Sequence, residues 1–488
     1  MTAGPTPPAA APAPLSLSAI RAAQRAWAAE PLESRCAHLR EIGRRFAARA
    51  DDVARVVCEE TRKHPADAWF ADVVPNLDLF TWWTGPGRKP LLPKKLPLSS
   101  LAHPGKRAVL HTEPRGVVGL ITPWNYPAAI PLRTLVPALL AGNAVLFKPS
   151  EVTPRTGALL AEIFSSVLPS GVLTLVQGAR EAGEQVVDLS DHVVFTGSVA
   201  TGRRVGERCA SQLKSVSLEL GGKDAAIVLR DCDLERTVDG VLWGAVTNSG
   251  QNCAAIERVY VEAAIYDRFV GRLLARAEGL QVAPVATEAQ DRIVREHLAE
   301  AESLGATLHG EYPGGAVILT DVPEGARILV DETFGPVCPV VRVDDGDAAL
   351  RLANASEFGL TLSIWTRSEA RAQELAARAR AGVVTINNVA LTASMPFAPW
   401  SGRGASGHGA TNSEWALREM TQPKVVLVDD NRAPEPWWLP ADDAAVRLAR
   451  LSLEWLRASG PARLAATLRV VRGLKARTRQ QAGRSGTG

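Results

Sequence analysis

No lysine occurs between Lys223 and Lys424, and no run of apolar residues approaches the roughly 20 that a membrane-spanning helix requires. The second absence leaves no candidate for a helix crossing a bilayer. The first makes each lysine inside a motif conspicuous, because arginine carries most of the positive charge. The six cysteines (Cys36, Cys58, Cys209, Cys232, Cys253, Cys338) are dispersed, with no CxxC pair and no histidine-rich partner run. The sequence therefore predicts neither a metal site nor a disulfide framework, and a reducing cytoplasm fits best. A formal net charge of +3 over 488 residues carries no global nucleic-acid signature. No internal repeat is evident. The Ala/Pro-rich start lacks the basic and apolar parts of a signal peptide, so residues 1–16 read as a disordered lead-in.

A chain of this length predicts two or three domains. From Ser18 to Lys63 the apolar residues Ile20, Ala23 and Trp27, then Leu39, Ile42 and Phe46, recur at helical spacing. The Pro/Gly-rich stretch Gly85 to Pro104 interrupts that pattern. Beyond it, strand-like runs (Val117 to Ile121, Ala144 to Phe147, Val193 to Phe195) alternate with helix-like ones (Leu132 to Leu140, Thr156 to Val167, Val199 to Cys209). Such alternation predicts an α/β fold, with a parallel sheet and crossover helices. A second alternating set after Gly222 includes Ala225 to Leu229, Leu234 to Val246, Arg258 to Glu262 and the run around Ile364. Pro434-Glu435-Pro436-Trp437-Trp438 ends it, and a basic, helical tail follows.

Chemistry concentrates at a few positions. Cys253 closes the string Gly250-Gln251-Asn252-Cys253, and a thiolate attacks carbonyl carbon and holds an acyl group as a thioester. Glu219 ends an apolar run and precedes Gly221 and Gly222, which let the backbone turn tightly; a carboxylate there suits activation of water. A thiol and a carboxylate in this order behind a nucleotide-type segment point to covalent oxidation of an aldehyde. Asn125, in Pro123-Trp124-Asn125-Tyr126-Pro127, offers an amide donor to an oxyanion, alongside the Cys253 N–H, or is a turn asparagine between prolines. Lys148 and Glu151 follow a strand at the sheet edge where nucleotides bind, a position suited to ribose hydroxyls. Phe195-Thr196-Gly197-Ser198 is a strand–turn–helix whose helix start can face a pyrophosphate, or a plain βα turn. In Glu332-Thr333-Phe334-Gly335-Pro336, Glu332 could anchor a second ribose and Phe334 pack on an aromatic ring.

PWNYP, KPSE, FTGS, ELGGK, GQNC and ETFGP occur in one order, and as a set they resemble the aldehyde dehydrogenase superfamily from about residue 18 to residue 428. The resemblance implies a Rossmann-like NAD-binding domain (17–221, with an oligomerisation hairpin near 105–116), an α/β catalytic domain (222–412) and a β oligomerisation strand (413–430), followed by the tail (431–488). It makes Cys253 the nucleophile, Glu219 the general base and Asn125 the oxyanion donor. Thr122, Pro123, Trp124, Lys148, Ser150, Glu151, Gly197, Ser198, Leu220, Glu332 and Phe334 become cofactor contacts. NAD is the expected cofactor, because Glu151 would repel the extra phosphate of NADP, which stays as the alternative. A base at Glu219 argues for hydrolysis of the thioester and against transfer to coenzyme A. Homodimers or homotetramers in the cytoplasm, acting on a small aldehyde, are the implied setting.

Some positions depart from the family pattern. Thr134 stands where many members carry a lysine, and the usual PFGG-type loop reads Pro399-Trp400-Ser401-Gly402-Arg403-Gly404-Ala405-Ser406-Gly407. The connection from Gln281 to Glu288 is short. On the substrate side, Tyr126, Arg133 and Trp243 match or adjoin tunnel positions, with Ala129, Trp82 and Trp83 as further wall candidates. Arg133 fits a carboxylated aldehyde of the succinate-semialdehyde type, or is solvated or ion-paired, while the aromatics fit a long apolar aldehyde or core packing. The tail repeats Leu448, Leu451, Trp455, Leu456, Leu464, Leu468, Val471 and Leu474 at helical spacing among Arg463, Arg469, Arg472, Lys475, Arg477 and Arg479. It reads as a basic amphipathic helix for peripheral membrane contact, as a solvated extension, or as a helix packed on a partner subunit. Esterase chemistry through Cys253 is a side activity of the same parts; a non-catalytic relic of the fold conflicts with the intact Cys253, Glu219, Asn125 and Lys148.

Overall fold

The apolar runs beyond Arg115 pair as parallel strands because each is followed by a helix long enough to cross back over the sheet. The computed structural model describes residues 16–99, 103–432, 434–439 and 441–485, so most of the expected lead-in lies outside the described residues. The chain divides into two compact units: Met1–Leu92 with Thr112–Gln422, and Pro93–His111 with Pro423–Gly488.

The first unit holds two sheets. In the six-stranded one the spatial order is Gly407–His408, Ser215–Glu219, His192–Thr196, Val117–Ile121, Ala144–Lys148, Leu173–Leu175. Its three central strands are buried along their whole length, which explains their unbroken apolar runs. All pairs are parallel except that of Gly407–His408 with Ser215–Glu219, where Gly407 lies opposite Glu219. That short strand comes from the segment expected to belong to the catalytic domain, and it completes the nucleotide-type sheet. The seven-stranded sheet runs Thr307–His309, Val317–Thr320, Val337–Val343, Ile256–Glu262, Asp224–Val228, Thr361–Trp365, Val383–Ile386, with only the first pair antiparallel.

The N-terminal helical pattern resolves into Leu17–Ala29, capped by the Ser16 side chain, then Leu32–Ala48 and Ala50–Thr61. Their buried faces bring Trp27, Leu39, Ile42 and Phe46 into one core with Leu135, Leu139 and Phe164. The helix expected from Leu132 begins at Ala129. Pro131 sits in its first turn, where an N–H has no intrahelical partner, so the proline does not delay the start. A turn of π-helix, Ala68–Val73, follows Asp67, contains Asp72 and has no signal in the sequence pattern.

In the second unit, Lys94–Lys95 pairs antiparallel with Lys106–Pro114, which lies between it and Thr421–Asp429 in a three-stranded sheet. The tail differs from the single stripe expected of it. Gly460, at φ +55°, reverses the chain between helices Asp443–Arg457 and Gly460–Ser485. The two helices pack on each other: Trp455 donates to the Thr467 hydroxyl at 3.0 Å, and Gly473 lies against Leu448 and Leu451. Leu448 is thereby covered, while Leu456, Leu464 and Leu468 stay exposed. Arg477 is not an outward cation; it is 1% exposed and pairs with Asp442 at 2.7 Å. Among the described residues no helix is long and apolar enough to cross a membrane.

Candidate active site

Three consecutive residues before the candidate nucleophile adopt left-handed backbone: Asn248 (φ 52°), Ser249 (φ 59°) and Gly250 (φ 70°). Such a run is costly outside glycine and persists only where surrounding contacts enforce it. Asp67 accepts from the Thr247 hydroxyl (3.1 Å) and from the Asn248 N–H (3.3 Å), the Ser249 hydroxyl donates to the Ala283 carbonyl (2.7 Å), and Gln251 accepts from the Ala286 N–H (2.7 Å). At Gly250 a Cβ would lie 2.0 Å from the Gly335 carbonyl oxygen, so no other residue fits.

This loop delivers Cys253 Sγ to 3.5 Å from Glu219 Oε1. Burial, followed by the negative charges of Glu219 and Asp224, pushes the Cys253 thiol well above its ordinary range, and Arg133 opposes them. The resting group is thus a thiol beside a carboxylate. Glu219, at the end of its strand, also accepts from the Trp400 indole N–H at Oε1 (2.9 Å) and from the Thr196 hydroxyl at Oε2 (3.3 Å). The Asn125 side chain donates to the Gln251 carbonyl at 3.2 Å, while the Asn125 backbone carbonyl accepts from Lys63 Nζ (2.7 Å) and Asn248 Nδ2 (3.0 Å).

Two cavities adjoin this centre. The larger, about 730 Å³, is walled by Thr122, Pro123, Trp124, Lys148, Ser150, Glu151, Gly197 and Ser198. The smaller, about 250 Å³, shares Pro123, Trp124, Gly197 and Ser198 with it and adds Asn125, Leu220, Cys253, Glu332 and Phe334. Every cofactor position expected from the sequence therefore lies on one of these two walls. Lys148 pairs with Glu151 at 2.8 Å, and Ser198 caps the 13-residue helix Val199–Ser211. The Thr122 hydroxyl is buried without a partner, as a group awaiting a ligand oxygen would be. A cation, an orphaned hydroxyl and a long helix's N-terminus in one large cavity suit the phosphates and riboses of a dinucleotide.

Glu332 accepts the Gly222 N–H at 2.9 Å; burial and then the nearby Glu257 push its carboxyl up to about 7. Phe334 meets Trp124 edge-on at 5.7 Å. Their loop is held by Glu257, which accepts the N–H groups of Thr333 (2.7 Å) and Phe334 (2.8 Å) and pairs with the fully buried Lys223 at 2.6 Å.

The substrate candidates are less gathered. Tyr126 lies under Lys63 Nζ, 4.4 Å from its ring centroid. Arg133 acts electrostatically on both Cys253 and Tyr126. Trp243 is about half exposed (52%) and lines a different cavity, with Arg236 and Trp365, so it is not brought to the thiol. Trp83 is buried in the core, whereas Trp82 stacks edge-on with the exposed Phe397. Sequence reasoning missed Asp67, Asp72, Lys63, Glu257 and a role for Trp400. Lys63 and Asp72 carry no motif.

The model of the aldehyde dehydrogenase family matches residues 10–426. The chain is 34% identical over 440 residues to 4,4'-diapolycopene aldehyde oxidase of a Methylomonas species, covering 87% of this chain and 83% of that protein. It is 34% identical to glutarate-semialdehyde dehydrogenase of Pseudomonas aeruginosa, covering 84% of this chain and 89% of the relative. The crystal structure of betaine aldehyde dehydrogenase from Staphylococcus aureus in complex with NAD+ superposes with a TM-score of 0.81 at 28% identity, covering 86% of this chain and 88% of that one. With a thiol, a carboxylate and an amide converging beside a dinucleotide-sized cavity, and a family match spanning most of its length, the chain belongs to the aldehyde dehydrogenase family, NAD(P)-dependent oxidoreductases acting on aldehydes.

Proposed function

We propose that this protein oxidises an aldehyde to its carboxylic acid, with Cys253 as nucleophile, Glu219 as base and Asn125 as oxyanion donor. The observation that carries the reading is the Cys253 thiol 3.5 Å from the Glu219 carboxylate, on the wall of a cavity shared with Asn125, Glu332 and Phe334. Because the thiol rests protonated, Glu219 takes its proton as sulfur adds to the aldehyde carbon. The oxyanion that forms is met by the Asn125 amide and the Cys253 N–H. NAD held in the adjoining cavity would supply the acceptor for the hydride on the adduct carbon, whose loss turns the adduct into a thioester. Having passed its first proton to solvent, Glu219 takes one from water as the water oxygen attacks the thioester. The C–S bond breaks with its electron pair on sulfur, and the acid departs. Lys148 and Glu151 would hold one ribose, Ser198 and its helix the pyrophosphate and Glu332 the other ribose, with Phe334 beside the nicotinamide. The test is NADH formation from NAD and an aldehyde panel; Cys253→Ala abolishes it, and turnover that survives in this variant refutes the reading.

Arg133 favours a carboxylated aldehyde. Among the described residues this half-buried guanidinium has no hydrogen-bond or ion-pair partner, yet it acts on the thiol electrostatically. A substrate bringing its own carboxylate supplies the missing counter-ion. The glutarate-semialdehyde relative acts on an aldehyde of this kind. Succinate semialdehyde should therefore outperform butanal of the same chain length, and Arg133→Leu should raise KM for the former roughly tenfold or more while leaving butanal unchanged. The reverse ranking would favour the aromatic wall of Trp82 and Phe397. Strand Thr421–Asp429 exposes Val425, Val426, Leu427 and Val428 together, which supports assembly of copies of this chain through that sheet. Val425→Lys/Leu427→Lys should lower the mass measured by light scattering.

A further inference from the structure

Glu219 is held from three directions, and one holder lies in the loop where this chain departs from its family's pattern. The Trp400 indole N–H donates to Glu219 Oε1 at 2.9 Å, the Cys253 thiol lies 3.5 Å from the same oxygen, and the Thr196 hydroxyl meets Oε2 at 3.3 Å. Indole nitrogen is a donor only, so the direction of this bond is fixed by chemistry. The Trp400 ring is 2% exposed and packs with Ala254, Leu360 and Val383, against the Cys253 side of the site. Its backbone exchanges two hydrogen bonds with Thr411, and Gly407 beyond it pairs opposite Glu219. The donor is thus anchored on rigid backbone at both ends of its loop.

The arrangement changes meaning along the reaction. In the resting state Oε1 has two neighbours, the thiol and the indole. Once sulfur carries an acyl group its proton is gone, and the indole N–H is the side-chain donor left on Oε1. A glutamate that loses this contact regains rotamer freedom and leaves the attacking water unaligned. We propose that Trp400 is a positioning residue for thioester hydrolysis: it holds the Glu219 carboxylate toward acylated Cys253 while the water oxygen attacks, Glu219 takes the water proton and the C–S bond breaks. The proposal rests on Glu219 being the base of that step.

The full-length enzyme with p-nitrophenyl acetate tests this without a known aldehyde. Acylation of Cys253 releases p-nitrophenolate in a burst, and hydrolysis of the acetyl-enzyme sets the steady phase. In Trp400→Phe the burst rate should stay within twofold of wild type, while the steady phase falls roughly ten- to hundredfold, the worth of a hydrogen bond to a charged group. Trp400→Leu should lose the same factor, because the N–H and not ring volume is responsible. A steady phase unchanged in Trp400→Phe overturns the proposal, as does a burst falling in step with it, or a loss graded with side-chain size. Glu219→Gln separates the two levels. If it slows the steady phase and Trp400→Phe does not, only the positioning role fails; if it slows nothing, the base assignment fails with it.

Discussion

Lys63 and Asp72 form an ion pair at 3.0 Å with both side chains wholly enclosed, and the pair carries the loop of Asn125. Lys63 Nζ also donates to the Asn125 carbonyl at 2.7 Å; Asp72 Oδ1 accepts the N–H groups of Ala128 (3.1 Å) and Ala129 (3.0 Å). Removing one member of a buried pair leaves an uncompensated charge, at a cost of about 3–5 kcal/mol. The two single variants should not cost the same. Lys63→Met leaves Asp72 with two N–H donors, so it falls at the lower end, about 3 kcal/mol. Asp72→Asn leaves a buried ammonium facing an amide group with one carbonyl to bind, so it falls at the upper end, about 5 kcal/mol. The double variant removes both charges and should cost no more than the worse single, giving a coupling of at least about 3 kcal/mol. Urea unfolding of the three variants yields the cycle, and steady-state kinetics supply a second reading. Because the Asn125 backbone carbonyl loses one of its two donors in Lys63→Met, kcat should fall at temperatures where the variant is fully folded. Single costs below about 1 kcal/mol, or simple additivity in the double, would refute the account of a buried, coupled clamp.

Glu332 makes stability pH-dependent. Its folded carboxyl titrates at about 7 against an ordinary 4.5, so between those values the folded state holds a proton that the unfolded chain has released. Stability is therefore lost as pH rises across that window, by roughly 3 kcal/mol, and Glu332→Gln should escape the loss. Melting curves of the cofactor-free proteins at pH 5 and pH 8 check this; parallel shifts in both proteins contradict it. The raised Cys253 thiol should alkylate slowly with iodoacetamide near neutral pH and faster as pH rises. Glu219→Gln removes the group that takes the thiol proton and should slow labelling, and faster labelling would show that the carboxylate suppresses ionisation more than it assists attack. In the tail, exposed Leu464 and Leu468 stand near Arg472, Lys475 and Arg469, the last paired with Glu454 at 3.4 Å.

The candidate chemistry was legible from local strings, because a cysteine three residues after a glycine, a strand-ending glutamate and a strand-ending lysine each carry their context within a few residues. Helix Leu234–Val246 and the buried central strands were equally visible, since periodicity and unbroken apolar runs are short-range signals. The identities of Glu257, Asp72 and Trp400 as supports were not visible, because each meets its partner only across the fold. Trp400 reaches a carboxylate 181 positions away, and Lys63 reaches a carbonyl 62 positions away. The tail shows the same limit: its apolar period lies in the sequence, but the turn at Gly460 decided which leucines face a neighbouring helix and which face water. The sequence by itself determined the order of elements, the candidate reacting groups and the family. Only the tertiary structure decided which side chains hold those groups in place, because hydrogen bonds and buried charge pairs depend on proximity in space, which no local pattern records.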